Sequence, residues 1–307
     1  MKAYNTSTGL EEYLNYSKLE TELGIVEDFG HMVVKTPKNP RFVVTIPHCG
    51  LHLPSDFPRM FTPDKNIVND IDVGAEDIFD LYEIGGIIIK SRVHRNTLDL
   101  NRIPEVDVNF KRINKKTGKD KYFGPDLTKE EEKDLLEKYH EPFYDETRKA
   151  MEMLKQKHGR VFLINGHTFD LGLEEPGICV GDGRDFCSPD IKYGFIKYLE
   201  KFFRAKNKSG EIGMDYDPEL RSENIYRGIG LDYPFDGTDG PPQKFGNPQE
   251  GCNALLIEFS RGLFVDSTDN EELFVGPDLK SINKDKIKLI RGCLEEAING
   301  TLTEVGL

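Results

Sequence analysis

Short apolar runs rich in β-branched residues alternate with helical patterns along this chain, and that alternation restricts the possible folds most strongly. In chain order the apolar runs are RFVVTI, GGIIIKSRV, VFLING and ALLIEFS. The helical pattern GAEDIFDLYEI separates the first two runs. Because strands that are joined through helices usually pair in parallel and are covered on both faces, the alternation predicts an α/β fold. We expect three layers around a central mixed, mostly parallel sheet.

Capping residues predict where several helices begin and end. Thr128 opens the sequence TKEE, a capping-box pattern, and the helical pattern behind it runs to about His158 with an interruption near Pro142. A later helix is predicted over 283–299, with Gly300 as the residue that ends it.

The chain is expected to form one α/β domain over residues 1–307. Within it, residues 1–35 are expected to be an N-terminal extension, and residues 206–251 an irregular region near the functional site. The segment 206–251 is rich in Gly, Pro and Asp but also carries aromatic residues. A loop of that length with aromatic content is expected to cover a site.

The charge balance argues against polyanionic partners. The 307 residues include 41 Lys+Arg and 54 Asp+Glu, a net charge of −13, which is the wrong sign for nucleic acid or an anionic membrane surface. No apolar run approaches the roughly 20 residues that span a bilayer, and MKAYNTST lacks the apolar core of a signal peptide. We therefore expect a cytoplasmic protein with a small-molecule partner. Five cysteines without a C-x-x-C pair suggest neither a disulfide framework nor a thiolate zinc site.

Polar residues cluster just behind the apolar runs. In open α/β sheets ligands bind beyond the carboxyl ends of the strands, so these residues are the candidates for a site. They are His48 after VVTIP, His167 after VFLING, Glu258 at the end of ALLIE, Asp99, Asn101 and Arg102 in LDLNR, and Asp70 and Asp72 before the helical pattern.

Two imidazoles and one carboxylate with an open fourth position form the ligand set of hydrolytic zinc sites. A nearby glutamate could then take a proton from the attacking water. Spacing alone leaves a second interpretation open, in which the strand-end histidines are structural. An acid such as Asp70 could also simply begin a helix, where the macrodipole favours negative charge.

Six motifs occur in one order along the chain: IPHCG, DIDVGAEDIFDLY, LDLNR with Arg95 shortly before it, YHEPFYDE, NGHTFD and IEFSRGLFVD. In this order and at this spacing they resemble the N-formylglutamate amidohydrolase family. That family is related in fold to zinc carboxypeptidases, so the resemblance implies a zinc-exopeptidase-like fold of the phosphorylase/hydrolase-like type.

The resemblance implies a role for each matching residue. It implies one Zn²⁺ per chain, held by His48, Asp72 and His167, with Asp70 left open as an alternative carboxylate. It implies Glu258 as the general base and Arg95 as a group that polarises the scissile carbonyl or adds to substrate binding. It implies that Asn101 and Arg102 clamp a substrate carboxylate, with Arg261 as a further carboxylate-binding candidate.

The implied reaction is zinc-dependent hydrolysis of an N-acyl amino acid, with N-formyl-L-glutamate as the first candidate. The segment 234–246 departs from the family pattern, because Thr238, Asp239 and two prolines stand where many relatives carry a Gly-Gly stretch that ends in arginine. That departure leaves the exact amide open. So do three alternatives: another zinc deacylase or carboxypeptidase-like hydrolase, a small-molecule binding protein on the same fold, and an amidase with Cys49 as nucleophile. The last is disfavoured because adjacent residues on a strand point to opposite faces, which separates Cys49 from His48.

Overall fold

A computed structural model of the chain describes residues 17–53, 60–61, 71–104, 110, 122–123, 126–169, 177–183, 185–205, 215–216, 229–232, 234–266 and 282–307. The strands in these ranges are β1 (Ser17–Glu20), β2 (Gly24–Asp28), β3 (Met32–Pro37), β4 (Phe42–Ile46), β5 (Met60–Phe61), β6 (Gly86–Ser91), β7 (Tyr122–Phe123), β8 (Val161–Phe169), β9 (Ile178–Gly181), β10 (Arg204–Ala205), β11 (Asp215–Tyr216), β12 (Ile229–Leu231) and β13 (Cys252–Ser260).

Nine of these strands form one mixed sheet in the order β1-β2-β3-β6-β4-β8-β13-β9-β12. The four central strands β6, β4, β8 and β13 run parallel to one another. Antiparallel strands flank them: β3, β2 and β1 on one side and β9 on the other. The pairs β5–β7 and β10–β11 form separate two-stranded sheets. The predicted mixed, mostly parallel sheet is confirmed.

The helices are α1 (Ala75–Ile78), α2 (Lys129–Leu135), α3 (Glu141–His158), α4 (Pro189–Phe203), α5 (Gly240–Phe245) and α6 (Lys284–Glu304). One buried cluster joins α1, α4 and α6 to one face of the sheet, and a second cluster joins α2 and α3 to the other. Apolar residues that alternate along a central strand therefore supply two different cores: Val44 lies in the first and Val43 in the second. The three-layer prediction is confirmed.

The predicted helix boundaries are partly corrected. Thr128 caps α2 as expected. Its side chain accepts a hydrogen bond from the Glu131 backbone amide, and the Glu131 carboxylate accepts one from the Thr128 backbone amide. The interruption, however, is a π-helical turn at Leu136–His140 that leads directly into α3, with Pro142 in the first turn of that helix. The pattern after Gly74 gives only the short α1 followed by a 3₁₀ turn at Tyr82–Ile84.

Gly300 does not end the last helix, which continues to Glu304. A Cβ atom on Gly300 would lie 2.4 Å from the Tyr198 ring of α4. The glycine is therefore explained by the close packing of two helices rather than by a helix stop.

Two expected segments are described in part. Residues 17–35 of the expected N-terminal extension form β1, β2 and most of β3, which continue the central sheet. Of the expected irregular region 206–251, the structure describes β11, β12 and the segment 234–250, which contains α5 and a 3₁₀ turn at Pro248–Glu250. Among the described helices, none has the length and apolar character needed to cross a membrane.

The contact between Gly166 and the Phe79 ring gives a stability test. A Cβ atom on Gly166 would lie 2.5 Å from the fully buried ring of Phe79, so Gly166→Ala is expected to lower the free energy of unfolding by about 1–3 kcal/mol. The control is Gly292→Ala in α6, where the added Cβ meets nothing within 4 Å. That change should raise the stability by about 0.5–1 kcal/mol. Urea unfolding measures both, and a Gly166→Ala protein as stable as wild type would contradict the packing described.

Candidate metal and active site

The predicted strand-end residues meet at one edge of the sheet. Because β4, β6, β8 and β13 run parallel, their carboxyl ends lie side by side. His48 follows the end of β4 by two residues, and His167 lies near the end of β8. Glu258 on β13 stands directly beside His167 in the strand register. The turn at Gly50 is tightly packed, since a Cβ atom there would lie 2.1 Å from the Arg92 backbone.

His48, Asp72 and His167 form a compact buried cluster. One ligand atom from each residue lies within 4.8 Å of the other two. The Oδ2 atom of Asp72 is 2.7 Å from Nδ1 of His167 and 3.6 Å from Nδ1 of His48. The two imidazole rings meet edge to face with centroids 4.8 Å apart. Asp70, the alternative carboxylate, lies outside the described residues.

Asp99 holds the other side of the His48 ring. Its Oδ1 atom is 2.7 Å from Nε2 of His48 and also accepts a hydrogen bond from the Asn101 amide. A neutral His48 that donates from Nε2 carries its lone pair on Nδ1, the nitrogen nearer Asp72. This is the arrangement in which a carboxylate fixes the tautomer of a metal-binding histidine.

The charges of this cluster depend on its buried hydrogen bonds. Burial alone would raise the pKa of Asp72, but hydrogen bonds from His167 and His48 outweigh it and hold that pKa below its usual range. Burial likewise opposes ionisation of Asp99, yet His48, Arg95 and Arg102 keep its pKa well below the usual value. Burial lowers the pKa of His167 despite the Asp72 contact. An ionised Asp72 and a neutral His167 are the protonation states that a metal requires of these ligands.

The residues present fit a divalent cation. One ligand atom from each of the three residues lies within 4.8 Å of the other two, and the set of two imidazoles and one carboxylate is typical of zinc sites. Nδ1 of His48 and Nε2 of His167 are buried and have no hydrogen-bond partner among the described residues. A buried polar atom without a partner costs free energy of folding. A bound cation would remove that cost by accepting an electron pair from each of these two nitrogens.

Glu258 adds a second kind of carboxylate to the site. It is 8% exposed, and burial, followed by the charges of Asp72 and Asp239, raises its pKa well above the usual value. The neighbouring Arg95 opposes that rise. Asp72 and Glu258 thus lie close together with pKa values shifted in opposite directions, as is typical of acid–base pairs in active sites.

Two arginines border the cluster. Arg95 lies 3.5 Å from Asp72 and 3.6 Å from Asp99, through Nη1 and Nη2. Nε of Arg102 lies 3.7 Å from Asp99, and its Nη1 contacts the carboxylate of Asp239. The structure therefore brings the predicted Arg95 and Arg102 to the edge of the same site, where each is partly exposed.

Asn101 and Arg261 are both buried, and each makes a hydrogen bond within the protein. The Asn101 side chain is buried, and its Oδ1 accepts a hydrogen bond from Asn165, which leaves the Nδ2 group as the donor for a ligand. Arg261 is 2% exposed and donates to the backbone carbonyl of Ile71, next to Asp72. The contact places Arg261 beside the metal-ligand candidate Asp72, and its carboxylate-binding role stays a prediction.

The motif YHEPFYDE fixes the backbone of LDLNR. Nε2 of His140 is 2.8 Å from the Arg102 carbonyl, and the Tyr144 hydroxyl donates to the Leu100 carbonyl. The two rings stack with centroids 4.2 Å apart. His140 ends the π-helical turn before α3, and such turns often occur at functional sites. His140 and Tyr144 thus support Arg102 through its backbone.

The Cys49 thiol contacts backbone carbonyl groups, and the strand argument used against it as a nucleophile does not apply. The chain has left β4 and forms a turn at His48, so the alternation of a strand does not apply there. The Cys49 thiol instead donates to the Ser91 carbonyl. Burial raises the pKa of this thiol to about 12, which opposes formation of the nucleophilic thiolate.

Sequence reasoning left two residues of this site without a role. Asp99 belongs to the LDLNR motif together with Asn101 and Arg102. Its position in that motif was the sequence feature that could have indicated a role in the site. Asp239 was visible as an acid in the departing segment 234–246, but its contact with Arg102 joins residues far apart in the sequence. Only the tertiary structure places it there.

Comparison with known proteins identifies relatives of this architecture. Residues 41–265 match the N-formylglutamate amidohydrolase family. The fold is similar to that of an N-formylglutamate amidohydrolase from Ralstonia eutropha, with a TM-score of 0.63 and 17% identity, over 90% of this chain and 99% of that chain. It is equally similar to that of a gene product from Agrobacterium tumefaciens, with a TM-score of 0.63 and 16% identity, over 90% and 96% of the two chains.

A metallo-carboxypeptidase from Burkholderia cenocepacia is more distant, with a TM-score of 0.38 and 13% identity over 96% of this chain and 67% of that chain. A search of curated proteins gives no significant match.

The raised pKa of Cys49 predicts slow alkylation. A thiol with a pKa of about 12 holds far less thiolate at pH 8 than a free cysteine does, so iodoacetamide should modify Cys49 roughly a thousandfold more slowly in the native protein than in urea. Mass spectrometry of peptides sampled over time measures the two rates, with the urea-unfolded protein as the control. Equal rates in native and unfolded protein would show that Cys49 is accessible and ionised.

Proposed function

Because this chain belongs to the N-formylglutamate amidohydrolase family, we propose that it hydrolyses the amide bond of an N-acyl amino acid with one zinc ion per chain. N-formyl-L-glutamate is the first candidate substrate. The single observation that supports the proposal most is the buried cluster of His48, Asp72 and His167, with a buried carboxylate beside it in the strand register.

His48, Asp72 and His167 would hold the metal through two nitrogens and one carboxylate oxygen, the donor set of catalytic zinc sites. When bound, zinc supplies a Lewis acid that acidifies water and polarises a carbonyl group. Asp99 would keep His48 in the tautomer that ligation needs, through the hydrogen bond to Nε2.

Glu258 would move the protons of the reaction. Its raised pKa makes its carboxylate a stronger base than that of an exposed glutamate. It takes one proton from the attacking water as the new carbon–oxygen bond forms. It then gives that proton to the amino nitrogen as the carbon–nitrogen bond breaks, which yields the carboxylic acid and the free amino acid.

The two partly exposed arginines would orient the substrate. Arg95 lies beside both Asp72 and Asp99, where its positive charge can stabilise negative charge that develops on the carbonyl oxygen. Arg102 carries a planar guanidinium suited to a substrate carboxylate, and its backbone is held by His140. Asn101 would add a neutral donor through Nδ2.

The proposed metal role predicts a graded loss of zinc. The purified wild type should contain close to one zinc per chain, and His48→Ala and His167→Ala should lose most of it because each removes one of three ligands. Asp99→Asn should bind zinc about 10–100-fold more weakly, since it removes only the partner of a ligand. Metal analysis after dialysis measures the content, with His158→Ala at the end of α3 as the control. Full zinc content in both ligand variants would refute the assignment, as would activity that survives dipicolinate.

The proposed proton transfer predicts a specific kinetic defect. Glu258→Gln keeps the size of the side chain but cannot accept a proton, so kcat should fall by about 10²–10⁴ while KM changes little. Steady-state kinetics with N-formyl-L-glutamate measures both constants, and zinc content with circular dichroism checks that the site and fold are intact. The matched control is Glu250→Gln, an exposed glutamate in the 3₁₀ turn before β13. A Glu258→Gln enzyme with near wild-type kcat would exclude Glu258 as the base.

A further inference from the structure

The carboxylate of Asp239 contacts the guanidinium that is proposed to bind the substrate. Oδ2 of Asp239 pairs with Nη1 of Arg102, and the two side chains are 39% and 21% exposed. The charge of Asp239 also contributes to the raised pKa of Glu258, so Asp239 lies near the proposed proton acceptor. An acid of the protein itself thus stands where a substrate carboxylate is expected.

Asp239 is held in this position by the packing of α5, the helix that begins directly after it. Gly240 has φ +62°, and a Cβ atom there would lie 2.2 Å from Oδ1 of Asn101. At the other end of α5, the Phe245 ring lies 5.9 Å from the Tyr144 ring. Both contacts are with residues that belong to LDLNR or support it. The pairing with Arg102 therefore follows from fixed packing and not from a chance contact of a surface loop.

Among the described residues, two carboxylates already lie beside the Arg102 guanidinium. Its Nη1 contacts Asp239, and its Nε lies 3.7 Å from Asp99. A substrate carboxylate that approaches the same guanidinium must either displace Asp239 or remain close to its negative charge. Both outcomes weaken the binding of an anion relative to a neutral group of the same shape.

We propose that Asp239 is a specificity-determining residue, which competes for Arg102 and reduces the preference of that guanidinium for a ligand carboxylate over a neutral carboxamide. The inference rests on the proposed function, because it takes an amino-acid derivative as the ligand of Arg102. It goes beyond that function by assigning the balance between charged and neutral ligands to a single residue.

The substitution Asp239→Asn isolates the charge. Asp239 is the N-cap residue of α5, but its side chain makes no capping hydrogen bond, and asparagine is as good an N-cap residue as aspartate. The variant is therefore expected to fold with α5 in place. Glu250→Gln is the matched control, since it removes one negative charge from the same segment but from a carboxylate that pairs with Lys155.

The experiment is calorimetric titration of the zinc-supplemented protein with L-glutamate and, separately, with its α-amide. Asp239→Asn should bind L-glutamate about tenfold more tightly than the wild type does, whereas the affinity for the α-amide should stay within about twofold. Glu250→Gln should bind both ligands as the wild type does. In an Arg102→Gln background the gain from Asp239→Asn should disappear, because the double-mutant cycle removes the cation for which the two carboxylates compete.

Any other pattern overturns the proposal: unchanged or weaker binding of L-glutamate, an equal gain for the α-amide, a gain that persists without Arg102, or no measurable binding of L-glutamate. The proposed function fails separately, if the zinc-loaded enzyme hydrolyses no member of a panel of N-acyl amino acids and their α-amides. A charge-dependent gain in binding with no hydrolysis would keep Asp239 as the determinant and refute the reaction.

Discussion

The parallel alignment of β6, β4, β8 and β13 is the constraint on which the rest of this architecture depends. Four neighbouring strands that run the same way end at the same edge of the sheet, so the residues that follow them become neighbours in space. His48, His167 and Glu258 come from three separate parts of the chain and still lie beside one another. No local ligand motif is needed, because the sheet supplies the proximity that such a motif would otherwise supply.

That edge concentrates buried charge, which the surrounding structure must compensate. Asp72 and Asp99 are buried carboxylates, and each has an imidazole within hydrogen-bond distance and Arg95 nearby. Buried charges of this kind are tolerated only when they are paired. The proposed cation would complete the pairing on the His48 and His167 side. On the other side Asp239 pairs with Arg102, the arginine that also lies beside Asp99, which connects the electrostatics of the site to the inferred role of Asp239.

The sequence predicted the three layers, the mixed sheet and the strand-end positions of His48 and His167, because strand patterns and ligand positions follow from local periodicity and from the handedness of α/β connections. It did not predict which distant side chains would pair. Gly300 was predicted to end a helix, yet a glycine is needed there because the ring of Tyr198 packs against it. Asp239 was named only as part of the departing segment 234–246, and its contact with Arg102 accompanies the packing of α5 against Asn101. Such contacts depend on tertiary packing, which local patterns do not encode.

The central claim is that His48, Asp72 and His167 together hold a metal ion, and anomalous diffraction tests it most directly. Crystals grown with zinc, with data collected on both sides of the zinc absorption edge, should show one strong anomalous peak within about 2.0–2.2 Å of a donor atom from each of the three residues. A zinc-containing crystal with no peak at this cluster, or with its only strong peak elsewhere on the protein, would contradict the account.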